Sequence, residues 1–234
     1  MSGARAPEAG RPASPRVGLV TSRHRLCAAL GRPLDDALDL LVAQMDGAAA
    51  AGVEFMQVRE PDLDGRTLLA LVRRLHDASH GRVRVVVNDR ADVAAAAGVD
   101  LHLKGVSMPP ARVRPWMPVS TWISRAVHSA ADARDAGDVD ALVAGTVHLT
   151  PSKPADAARL GLAGLADLVA ATARPVFAIG GLTARDWAEV AATGAAGIAA
   201  IGWMLPRAGE DAADAVVRAM RAMRAVVDAP RGVS

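Results

Sequence analysis

Residues 175–202 read PVFAIGGLTARDWAEVAATGAAGIAAIG, and this stretch decides the fold. Residues 175–179 and 197–201 are short apolar runs with no polar face, the pattern of strands covered on both sides in a parallel sheet. Between them, Thr183 with Asp186 three positions later has the spacing of an approximate helix capping box, and Gly194 supplies a residue that stops a helix in the left-handed conformation. The stretch is therefore one complete strand–helix–strand unit, with glycines at both strand exits: Gly180 and Gly181 after the first strand, Gly202 after the second.

Working outward, the same unit recurs. Residues 17–21, 55–58, 83–88, 101–103, 122–127 and 141–144 join 175–179 and 197–201 as strand candidates, separated by Ala/Leu-rich amphipathic stretches. Gly52, Gly98 and Gly137 repeat the glycine stop just before a strand. In the last helix Val216, Met220, Met223 and Val227 share one face, and Arg218, Arg221 and Arg224 fall elsewhere as a solvated face. No Gly-rich dinucleotide loop follows the first strand, so eight such units predict an α/β fold of the (β/α)8 TIM-barrel kind and not an open doubly wound sheet. The barrel is expected over 16–228. Residues 1–15, rich in Pro, Ala, Gly and Arg, and 229–234 are expected to be disordered tails.

Composition excludes several classes of function. The 27 basic and 25 acidic residues nearly cancel, and Tyr is absent, so neither a phosphate-neutralising face nor a base-stacking platform is expected, and nucleic acid is excluded as a partner. No apolar run is long enough to span a bilayer, so a membrane partner is excluded too. The lone Cys27 and the absence of an apolar signal core point to the cytoplasm, and nothing decides for or against a homo-oligomer.

In a barrel of this kind, chemistry sits at the C-terminal ends of the strands, with phosphate commonly bound after strands seven and eight. Gly180, Gly181, Ile201 and Gly202 stand there, and bare glycines let a phosphate approach backbone N–H groups. Thr150, Ser152 and Lys153, past the sixth strand, add hydroxyl and ammonium donors. Lys153 and Lys104 are the only lysines in a chain that otherwise uses Arg. Gln57, Arg59, Asn88, Asp89, Arg90, His102 and His128 leave four other strands toward the same mouth, a convergent polar site. His128 and His102 are the acid/base candidates, because imidazole exchanges protons near neutral pH. His24, His76, His80 and His148 fall in loops or helices and are read as structural.

Taken in order, these segments resemble the thiamine phosphate synthase/TenI family over residues 17–226. Gln57-Val58-Arg59-Glu60 is similar to the family's Q-x-R-E-K, and Asn88-Asp89-Arg90 to its N-D-R. Ala126-Val127-His128-Ser129 is similar to S-V-H-S, Thr150-Pro151-Ser152-Lys153 to T-P-T-K, and residues 178–182 to A-I-G-G-I. For the synthase branch, the resemblance implies a pyrimidine diphosphate joined to a thiazole phosphate, with Mg2+ on the diphosphate and Asp89 as a ligand. For the TenI branch it implies a metal-free and cofactor-free tautomerase acting on a thiazole phosphate. The chain departs from the synthase pattern at Pro61, where Lys is expected, at Ser107, where a second Asp is expected, and at Ala126, where Ser is expected. Those departures favour the tautomerase, with His128 as proton shuttle, Arg59 on the substrate carboxylate and the phosphorylated thiazole as partner. The synthase and a non-catalytic phosphometabolite-binding regulator are the alternatives.

Overall fold

The computed structural model describes residues 15–149 and 159–229; the expectations for the two tails and for Thr150, Ser152 and Lys153 lie outside the described residues. Eight parallel strands close into a barrel in sequence order: β1 (Arg16–Val20), β2 (Phe55–Val58), β3 (Arg84–Asn88), β4 (Asp100–Leu103), β5 (Ile123–Val127), β6 (Ala141–Gly145), β7 (Val176–Ile179) and β8 (Gly197–Ala200), with β8 paired back onto β1. Around them run α1 (Arg23–Leu30), α2 (Ala37–Ala51), α3 (Gly65–Ser79), α4 (Ala91–Ala97), α5 (Pro110–Val113), α6 (Ala130–Arg134), α7 (Gly161–Ala170), α8 (Trp187–Ala192) and α9 (Ala212–Asp228). The expected TIM barrel is therefore present, and each strand begins and ends within one residue of its sequence-based bounds.

Alternation along each strand makes two cores. Val17, Leu19, Met56, Val58, Leu101, Leu103, Leu142, Ala178 and Ile198 face the helices in one large cluster. Val20, Phe55, Val86, Ala141, Val143, Phe177 and Ala199 fill the barrel interior in a second. Phe55 and Phe177 meet edge to face at 5.1 Å, a favoured aromatic geometry. The Phe55 ring occupies the space that a side chain at Gly18 would need. The N-terminal rim is tied by Arg16 to Glu54 and Arg84 to Asp100, and the same two guanidinium groups lie over Phe177 and Trp122.

The capping box at Thr183 and Asp186 forms, although it opens on a 3-10 turn that leads into α8. Gly52, Gly98, Gly137 and Gly194 all take positive φ, as their placement before strands predicts. In α9 Val216, Met220 and Met223 are buried, whereas Arg218 bonds Glu210.

Gly197 is the position where closure is tightest. It is registered opposite Arg16, and a Cβ there would stand 1.9 Å from the Arg16 carbonyl oxygen, which is backbone and cannot swing away. Gly197→Ala should destabilise the barrel by about 1–3 kcal/mol, the usual cost of overpacking, at about 2–4 °C of Tm per kcal/mol. Thermal unfolding measures it, and an unchanged Tm would show slack in the β8–β1 seam.

Candidate active site

Because inward positions alternate, the side chains that emerge at the C-terminal mouth are those two residues beyond the interior core. On β2 the series is Phe55, Gln57, Arg59; on β3 it is Val86, Asn88; on β4 and β5, His102 and Ser124 are registered partners. The mouth is thus polar on the β2–β5 side. Gln57 Nε2 donates to Asn88 Oδ1 at 3.1 Å, and His102 Nδ1 shares a hydrogen bond with Ser124 Oγ at 2.9 Å. On the opposite side, β7 and β8 present only Ile179, Ala199, Ile201 and glycines.

That second side forms a cleft of about 200 Å3 lined by Gly180, Gly181, Ile201 and Gly202, so the sequence-predicted residues that end β7 and β8 do come together. Gly180 and Gly181 adopt φ of 109° and 67°, and a Cβ on Gly181 would press on Leu149 O and His148 Cβ at 2.8 and 2.9 Å. Only glycine keeps this backbone both left-handed and open. The sequence reading missed Arg25, which leaves α1 and lines the same cleft, one guanidinium nitrogen lying 2.9 Å from where a Cβ on Gly202 would be. No motif marks it; only the packing of α1 beside β8 brings it there.

A second cleft, of about 160 Å3, opens over β2–β4 and is lined by Glu60, Pro61, Asn88, Asp89, Arg90 and Lys104 among others. Asp89 stands at φ 61° and donates its N–H to the His102 carbonyl at 2.8 Å. One carboxylate oxygen accepts the Ser107 hydroxyl, and the other is ion-paired with Lys104. Arg90 is held bidentately by Asp92 at 2.9 and 2.6 Å. Glu60 is buried, accepts from Thr21 Oγ1 at 2.6 Å and from the Arg23 N–H at 3.0 Å, and has its pKa raised chiefly by burial, against those bonds. Arg59 is exposed.

The two histidines differ in kind. His128 is exposed on the rim; its Nδ1 bonds the Gly145 carbonyl, which fixes the ring and leaves Nε2 turned away as an acceptor. His102 is buried, and burial pushes its pKa down to about 4, with Arg59 adding to the fall and Asp89 opposing it. His102 is neutral at physiological pH and acts as a fixed dipole of the polar layer.

The magnesium that the resemblance implies for the synthase finds no fitting donor set here. Both oxygens of Asp89 already face donors, Ser107 replaces the second carboxylate, and no cluster of three or more His, Cys, Asp or Glu side chains lies among the described residues.

A (β/α)8 barrel with a glycine-built cleft after β7 and β8, and a charged cleft across its mouth, has the architecture in which enzymes of this fold place their active sites. The family model described as thiamine monophosphate synthase matches residues 32–203, and the chain belongs to that family. It is similar to a putative thiamine-phosphate synthase of Geobacter sulfurreducens, 39% identical over 78% of this chain and 83% of that one. It is also similar to a thiamine-phosphate synthase of Methanoculleus marisnigri, 36% identical over 74% and 83%. Among solved structures, the thiamine phosphate pyrophosphorylase from Pyrococcus furiosus superposes with a TM-score of 0.73 at 26% identity, covering 92% of this chain and 96% of that one. These relatives reverse the order of the two enzyme readings drawn from sequence: they carry synthase names, and the tautomerase gains no support from them.

The burial of His102 makes stability depend on pH. Its pKa is about 4 in the fold against about 6.5 unfolded, so protons bind the unfolded chain more strongly, and stability falls as pH drops from about 6.5 to about 4. The loss attributable to this residue is about 3 kcal/mol. Denaturant titrations across that range should show a shallower acid decline for His102→Asn than for wild type; parallel curves would mean that His102 is not kept neutral by burial.

Proposed function

We propose that the chain is a thiamine-phosphate synthase, joining a pyrimidine carried on diphosphate to a thiazole phosphate. The observation that carries this reading over the tautomerase is that the relatives bear synthase names, and two clefts at one mouth give two anionic substrates a place each. In the reaction, a thiazole nitrogen forms a bond to the pyrimidine methylene while the methylene–oxygen bond breaks and its electron pair leaves with diphosphate.

The thiazole phosphate sits over Gly180, Gly181, Ile201 and Gly202, where backbone N–H groups and the Arg25 guanidinium meet its charge. The joined amides of Gln57 and Asn88 present donor and acceptor to the pyrimidine edge, and their mutual bond fixes their orientation before substrate arrives. Arg59 is placed on the leaving diphosphate, where it neutralises charge that grows as the bond breaks. Arg90, held by Asp92, supports the rim and is assigned no direct contact. The ring nitrogen attacks through its lone pair, so the transfer itself requires no general base. His128 then serves to orient substrate on the rim.

A second reading keeps the metal-free tautomerase in play on one observation: His128 Nδ1 is committed to Gly145, leaving Nε2 as the kind of base an isomerisation uses. The two are separable in one experiment. Purified protein with both substrates should yield thiamine phosphate, with Arg25→Met raising the KM for thiazole phosphate about tenfold, the scale of one charge-assisted hydrogen bond. His128→Asn should retain coupling within about tenfold, because it removes no proton transfer from that step. No coupling by wild type, together with ring-proton exchange that falls by about 10² or more in His128→Asn, would replace the synthase by the tautomerase.

A further inference from the structure

We propose that the ammonium of Lys104, gripped by Asp89 and backed by Ser107, is a resident cation of the β2–β4 cleft, and that diphosphate binds there without a divalent metal. The proposal rests on the reading above, in which the leaving diphosphate enters this cleft.

The side chain is held by a built turn. The Lys104 N–H donates to Ser107 Oγ at 2.8 Å, the Ser107 N–H donates back to the Lys104 carbonyl at 3.1 Å, and Arg125 holds the intervening Gly105 carbonyl at 3.1 Å. The Ser107 hydroxyl donates a hydrogen bond to one oxygen of Asp89, while the Lys104 ammonium pairs with the other. The carboxylate itself is aimed by the left-handed backbone of Asp89 and by its N–H bond to His102 O. Each oxygen of Asp89 therefore already faces a hydrogen-bond donor, and a metal bound there would sit beside an ammonium that repels it.

An ammonium has three donors, and Asp89 uses one. Lys104 is half exposed at the cleft edge, and among the described residues its ammonium has no other partner. The neighbouring guanidinium groups are already matched, Arg90 with Asp92 and Arg23 with Asp62. Among the described residues, Lys104 lines this cleft, and Arg59 at the exit of β2 has no carboxylate partner. Asp89 changes role in this arrangement. It is a positioning residue that holds the ammonium, and its negative charge opposes the incoming anion.

That assignment gives opposite signs for two substitutions. Inorganic diphosphate titrated into the full-length protein in the presence of a chelator should bind by calorimetry. Lys104→Met should weaken that binding by at least about tenfold, the worth of a charge-assisted hydrogen bond. Asp89→Asn, a residue that tolerates the left-handed backbone, should leave binding equal or tighter. Binding that appears only when Mg2+ is added, a Lys104→Met variant that binds like wild type, or loss of binding in Asp89→Asn would each overturn the proposal. Coupling separates the two levels. Chelator-resistant diphosphate binding without any thiamine phosphate formed would sink the synthase and leave the resident cation standing, whereas product formed only with Mg2+ would do the reverse.

Discussion

Everything at the mouth depends on how β8 closes onto β1. The seam registers Arg16 with Gly197 and Gly18 with Ala199, and both glycines are sites of close approach: Arg16 backbone crowds one, and the Phe55 ring crowds the other. Once closed, the parallel strands have no free edge, and the two-residue alternation is locked all round. The interior core of Phe55, Phe177, Val86, Val143 and Ala199 then fixes which residues come next at the C-terminal rim. Closure also sets α1 beside β8, which is what brings Arg25 over Gly202. The chemistry of the mouth is thus a consequence of register.

The register divides the mouth into unlike halves. On β2 to β5 the side chains beyond the core are Gln57, Asn88, His102 and Ser124, bonded in pairs, and they provide a rigid polar surface able to read the edge of a ring. On β7 and β8 the side chains shrink to glycine, and the backbone itself is the binding group. In the proposed synthase, one half takes the heterocycle with its leaving group and the other the phosphate. Several described cations of the rim are held by carboxylates, Arg90 by Asp92, Arg23 by Asp62 and Glu60, and Lys104 by Asp89, whereas Arg59 and Arg25 have no carboxylate partner among the described residues.

The strands were legible in the sequence because each is a short apolar run bounded by a glycine or a polar exit, and the residues at those exits were legible because a barrel places function there. Gly180, Gly181, Ile201 and Gly202 were found on that logic alone and share one cleft. What sequence could not give was pairing across elements. Lys104 stands out in a chain poor in lysine, but its union with Asp89 requires the turn through Ser107. Arg25 sits on a helix with no motif. His102 and His128 look alike as strand-exit imidazoles, yet one is buried to a pKa of about 4 and the other is exposed on the rim, a difference of depth that local sequence does not encode. The departures at Pro61, Ser107 and Ala126 point to a tautomerase; the relatives carry synthase names instead, and Pro61 lines a cleft with Asp89 and Lys104.

The proposed synthase holds two different anions at its mouth at once, one in each cleft. Calorimetric titration of thiazole phosphate into protein saturated with inorganic diphosphate tests it directly. Thiazole phosphate should still bind one-to-one, with an affinity close to that for the free protein. Competition, with diphosphate shifting the apparent Kd in proportion to its concentration, would mean that the mouth holds one anion site, and the two-substrate account would be wrong.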